Sequence, residues 1–78
     1  MRDEISTMLL QRVSAIFGCT DLTEETRFAE DLKAKSIHYS QITTYLEDQL
    51  DIEIPYMPFR RNKTLGEAID FVLSLCEE

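Results

Sequence analysis

Thr64-Leu65-Gly66-Glu67-Ala68-Ile69-Asp70-Phe71-Val72-Leu73-Ser74-Leu75-Cys76 is the stretch that decides the fold class. Thr64 and Glu67 stand at the spacing of a capping box, in which the hydroxyl accepts one free amide of the first helical turn and the carboxylate another. Leu65, Ala68, Ile69, Val72, Leu73 and Cys76 then recur at three- and four-residue steps, which is one apolar stripe of a helix. Toward the N-terminus, Ile5, Met8, Leu9, Val13, Ile16 and Phe17 repeat that period. Asp3 is placed to cap this first helix, Glu4 suits the positive end of its dipole, and Gly18 can stop it in the left-handed conformation. The predicted span is residues 3–17.

Between these two helices Ser36 opens a third, with Ile37, Ile42, Leu46 and Leu50 as apolar markers and Ser36 as its N-terminal residue. Pro55 ends it and pushes Ile54 into an extended conformation. Ile52-Glu53-Ile54-Pro55 alternates like a strand, but nothing else in the chain offers it a partner. Pro58 is tolerated in a first helical turn, so a short helix over about 57–61 is expected. Residues 18–35 have no sustained period, and Leu22, Phe28 and Leu32 are expected to pin that long loop to the helices. The fold class is therefore all-α: a small four-helix bundle of three main helices and one short one, with a long loop after the first.

Seventy-eight residues make one domain, spanning 1–78. Apolar residues at 44% with charged residues at 29% are too apolar a mix for a disordered chain. Fifteen acids against eight bases give a net charge of −7, which argues against nucleic acid as a partner. No apolar run approaches the length of a membrane span, and the charged start is unlike a signal peptide, so a cytoplasmic monomer is expected. One His, no Trp and two Gly leave little to preorganise a catalytic site, so the chain is not expected to be an enzyme. Cys19 and Cys76 form no metal-type spacing and read as free thiols in a reducing compartment, although a disulfide between them stays open.

Three stretches together resemble the acyl carrier protein family. They are Phe28-Ala-Glu30-Asp31-Leu32-Lys-Ala34-Lys-Ser36-Ile37, then Leu46-Glu47-Asp48-Gln-Leu50-Asp51-Ile-Glu53-Ile54-Pro55, then Thr64-Leu65-Gly66-Glu67-Ala68-Ile69-Asp70-Phe71. The resemblance covers about residues 5–75 and includes the order of elements. It implies a carrier with a covalent 4′-phosphopantetheine arm, derived from coenzyme A, on Ser36. The arm's thiol would hold acyl groups as thioesters for fatty-acid, polyketide-like or specialised lipid synthesis. It also implies a phosphopantetheinyl transferase and acyl-transferring and synthase enzymes as partners. A helix N-terminus, with unpaired amides and partial positive charge, suits the phosphodiester of such an arm. Glu47, Asp51 and Glu53 resemble a divalent-cation site of that family, and bland solvated acids are an equal reading.

The sequence departs from the family around the serine. The usual Asp-Ser-Leu, often preceded by Gly-Ala, here reads Lys33-Ala34-Lys35-Ser36-Ile37, and residues 33–46 hold two bases and no acid. Residues 54–66 hold Arg60, Arg61 and Lys63 and no acid, so two locally basic segments sit on an acidic molecule. Like charges are selected against across interfaces, so the partners are expected to carry neutral or acidic docking sites. Lys33, Lys35, Ile37, His38, Gln41, Arg60 and Arg61 are the candidate docking residues. His38 stands two positions from Ser36, where helical side chains do not meet, so a Ser–His nucleophile pair is not expected. Met57 and Phe59 read as core. Ser40, Thr44 and Tyr45 fall where the family lines an acyl cleft, which points to a short or polar cargo. Two other readings remain: an unmodified helical adaptor that binds partner proteins, and an aminoacyl carrier.

Overall fold

The structure, a computed structural model, describes residues 2–77. Four helices follow one another: α1 (Arg2–Phe17), α2 (Ser36–Leu50), α3 (Tyr56–Arg60) and α4 (Leu65–Cys76). α1 packs against α4 and α2, and α3 packs against α2. α1 buries Ile5, Leu9 and Val13, with Met8, Ile16 and Phe17 half-buried beside them, as the three- and four-residue spacing requires. Asp3 lies inside the first turn of α1 rather than before it, so its carboxylate meets the dipole and is not the cap. Gly18 takes φ +70° and its amide donates to the Ser14 carbonyl at 2.8 Å, which closes the helix in the left-handed way.

Thr64 caps α4 as its spacing predicts: the Glu67 amide donates to Thr64 Oγ1 at 3.2 Å. The reciprocal bond is displaced by one residue, since Glu67 Oε1 accepts from the Lys63 amide at 2.7 Å. α4 buries Leu65, Gly66, Ala68, Ile69 and Val72. α2 buries Tyr39, Ile42, Thr43 and Leu46; of its expected markers Ile42 and Leu46 are in the core and Leu50 is half-buried, while Ile37 is 62% exposed. Helix α2 ends before the proline: Asp51 adopts φ 55°, ψ 48° and returns its amide to the Glu47 carbonyl at 2.9 Å.

The long loop is held by a short antiparallel bridge between Arg27 and Thr64, which is not apparent from either segment alone. The Phe28 amide donates to the Lys63 carbonyl and the Leu65 amide to the Thr26 carbonyl, both at 3.0 Å. This seats Phe28, which is fully buried, 5.2 Å from the Tyr39 ring and 6.2 Å from the Phe59 ring. Leu22 and Leu32 pack half-buried on the core. The loop thus contributes a central core residue, consistent with its expected pinning role. Residues 27–34 close on themselves, with the Asp31 and Leu32 amides on the Arg27 carbonyl and the Ala34 amide on the Phe28 carbonyl. That turn delivers the chain to the start of α2.

Candidate functional site

The start of α2 is the chemically distinctive place in this fold. Lys35, not Ser36, is the N-cap residue, extended at φ −114°, ψ 173°. A lysine side chain has only donors, so it cannot accept an amide of the first turn. Ser36 is the first helical residue and is exposed, and among the described residues its hydroxyl makes no hydrogen bond. The expectation that Ser36 begins the helix holds, but its oxygen is not consumed in capping. The Lys35 carbonyl accepts from the His38 amide at 2.9 Å and the Tyr39 amide at 3.2 Å. The amides of Ser36 and Ile37 find no acceptor among the described residues, as the first turn of a helix dictates.

His38 does the capping work that a carboxylate three residues into a helix often does. Its Nδ1 accepts the Lys35 amide at 2.9 Å, which in the neutral ring leaves the proton on Nε2. The ring also packs on Phe17, with centroids 4.5 Å apart, and so ties the start of α2 to the end of α1. His38 is half-buried, engaged with the Lys35 amide and the Phe17 ring, and among the described residues makes no hydrogen bond with the Ser36 hydroxyl. On the other side, the Tyr56 hydroxyl donates to the Ser36 carbonyl at 3.3 Å, which fixes α3 beside the same turn. Lys33, two residues before the cap, has φ 53°, a left-handed backbone that a non-glycine residue adopts at a cost.

The candidate docking residues do not share one face. Ile37 and Gln41 line a groove of about 490 Å³ with Ser40, Thr44 and Tyr45, where the Arg12 guanidinium lies 4.5 Å over the Tyr45 ring. Arg60 and Arg61 line a different groove of about 620 Å³ between α3, the loop and the start of α4. Lys33 and Lys35 are exposed and line neither. Met57 is 58% exposed, so of the pair expected in the core only Phe59 is there.

Two further expectations change. Ser40 and Thr44 are exposed rather than turned toward the core, and the inner polar residue is Thr43, whose hydroxyl is satisfied by the Ser40 carbonyl at 3.0 Å. Their identity therefore carries no information about an inner acyl cleft. Glu47, Asp51 and Glu53 do not converge: among the described residues no three His, Cys, Asp or Glu side chains are placed to hold a metal ion. Glu47 Oε2 instead accepts the Ile54 amide at 2.8 Å and fastens the segment that leaves α2.

The groove beside α3 also includes Arg27 and Tyr39, which sequence reading did not single out. Tyr39 is nearly buried, and that burial raises the pKa of its hydroxyl above the usual tyrosine value, against an opposing pull from Arg60. The signal missed was the spacing of Tyr39, Ile42, Thr43 and Leu46, which is a sound helical stripe with two polar members. Cys19 is exposed and Cys76 half-buried, both as free thiols. No helix among the described residues is long and apolar enough to cross a membrane. No protein-family model matches the sequence.

Proposed function

We propose that this chain is an acyl carrier whose Ser36 hydroxyl takes a 4′-phosphopantetheine arm. The observation that carries the reading is the unpaired, exposed Ser36 hydroxyl on the first residue of α2, beside the free amides of Ser36 and Ile37. A phosphodiester there meets two unpaired donors and the positive end of a fifteen-residue helix, with the Lys35 cation adjacent in sequence. When attached, the arm supplies a terminal thiol for acyl groups. The protein's part is to hold the attachment point on a rigid turn, which His38, Phe17 and Tyr56 brace from two sides. The left-handed Lys33 supports the reading too, because it falls where the resembled family often has glycine.

The partners on this reading are a phosphopantetheinyl transferase and acyl-transferring and synthase enzymes of fatty-acid, polyketide-like or specialised lipid synthesis. Lys33 and Lys35 beside the arm favour neutral or acidic docking sites on them. A short or polar cargo is favoured by the packing of Phe28, Tyr39 and Phe59, whose rings fill the space between the loop, α2 and α3. Intact mass after incubation with coenzyme A and a broad-specificity transferase tests the proposal. One added phosphopantetheine, absent from Ser36→Ala, is expected. A chain that stays unmodified overturns it and leaves an adaptor that keeps the fold without the arm.

A further inference from the structure

The groove between α3, the loop and the start of α4 holds an unbalanced set of charges. Arg27, Arg60, Arg61 and Lys63 line it against Glu30 and Glu67, a net of two positive charges on a chain of net charge −7. Both carboxylates are engaged: Glu30 pairs with Arg27, and Glu67 accepts the Lys63 amide. Arg60, Arg61 and the Lys63 ammonium have no ion pair or hydrogen bond among the described residues. In a chain with fifteen acids, three neighbouring cations left without a carboxylate are available to something outside the chain.

The groove's shape narrows the class of ligand. Its volume of about 620 Å³ lies within the range of small-molecule sites. The amides at the start of α4 are already taken, Leu65 by the Thr26 carbonyl, Gly66 by the Glu24 carbonyl and Glu67 by Thr64 Oγ1. Recognition here therefore falls to side chains. Arg60 is pre-positioned, its guanidinium 5.6 Å over the Tyr39 ring. Arginine's planar fork matches phosphate oxygens two at a time, and a phosphate monoester carries about two negative charges near neutral pH. We infer that this groove binds the phosphate monoester of a small organic molecule, with Arg60, Arg61 and Lys63 holding the doubly charged group. This site is separate from the arm on Ser36 and does not depend on it.

Titration of ¹⁵N-labelled protein, followed by amide chemical shifts, tests the inference with phenyl phosphate as the monoester and diphenyl phosphate as a singly charged control. Saturable shifts confined to residues 27–30, Tyr39 and residues 60–67 are expected with phenyl phosphate. Binding should weaken at least about fivefold for the control, and again as pH falls from 7.5 to 5.5 through the second phosphate pKa near 6. Arg61→Gln and the double variant Arg60→Gln/Arg61→Gln alter exposed side chains, and the double variant should lose at least about tenfold in affinity. Ser36→Ala should bind as well as wild type, which keeps this test apart from that of the carrier reading. Equal binding of the two probes, or shifts that do not saturate, overturns the inference. Tighter binding of hexaglutamate than of phenyl phosphate also overturns it, and assigns the groove to an acidic protein partner.

Discussion

Replacing Gly66 by alanine should lower stability, against the usual effect of that change in a helix. Gly66 is the second residue of α4, and an alanine in a helix is ordinarily favoured over glycine by roughly 0.5–1 kcal/mol. Here the new methyl would lie 3.0 Å from both the carbonyl oxygen and Cβ of Glu24, and 3.2 Å from its Oε1. Glu24 cannot simply retreat. Its carbonyl accepts the Gly66 amide at 2.8 Å, and its carboxylate is gripped by two nitrogens of Arg2 at 2.5 and 2.9 Å. Overpacking of this kind costs about 1–3 kcal/mol, so the net loss should be about 1 kcal/mol. For a domain of this length that is a fall of about 4–8 °C in the unfolding midpoint, read by circular dichroism. An unchanged or raised midpoint would refute the reasoning, because it would mean that the loop yields freely and does not lean on α4.

Other perturbations test other joints. Phe28→Ala removes a fully buried ring at a cost of about 3–5 kcal/mol, a large share of the roughly 4–12 kcal/mol a chain this long commands. Its midpoint should fall by more than about 10 °C, and a fall under about 4 °C would show that the loop is not part of the core. The Arg2 guanidinium holds the Glu24 carboxyl below its usual pKa, chiefly through their hydrogen bonds. That stabilisation is present above the unfolded pKa near 4.3 and is lost as pH falls through the lower folded value. The midpoint difference between wild type and Arg2→Ala should therefore shrink from pH 7 to pH 3; a constant difference would contradict the assignment. Lys35→Asp places an acceptor on an extended N-cap and should raise stability by about 1 kcal/mol, seen as a higher midpoint. The same change, combined with Lys33→Gly, should slow acyl transfer with the natural partner, and unaltered kinetics would dismiss the proposed charge preference.

Much of this fold follows from local patterns. The stripes of α1 and α4, Gly18 after α1 and Thr64 before α4 all lie within a few residues of their partners, and the structure places them as the spacing predicts. α2 was harder because its inner stripe is Tyr39, Ile42, Thr43 and Leu46, and hydrophobicity alone promotes Ile37 in place of the two polar members. Thr43 is tolerated inside because its own helix satisfies its hydroxyl. The bridge from Arg27 to Thr64 joins residues far apart in the chain, and so does the groove it helps to build, so no local period announces either. Arg60 and Arg61 stood out as basic residues, but their separation from Ile37 and Gln41 is a property of packing, with α2 standing between the two grooves.

The unusual residues around Ser36 are mutually consistent. A carboxylate at position 35 would both cap α2 and place a negative charge beside Ser36. With Lys35 there, no side chain caps the first-turn amides, and the bond from the Lys35 amide to His38 Nδ1 is what remains to hold the turn. Since the Lys35 side chain accepts nothing, the Ser36 and Ile37 amides next to the serine stay free. The local field is then positive from two sources, the helix end and the lysine, and an anionic phosphodiester on Ser36 would relieve it. On the carrier proposal, a lysine in place of an acid at position 35 leaves attachment favourable at this serine while changing which surfaces can approach it. Its consequence falls on partner choice, and a transferase or synthase that relies on a basic patch should be the enzyme this protein rejects.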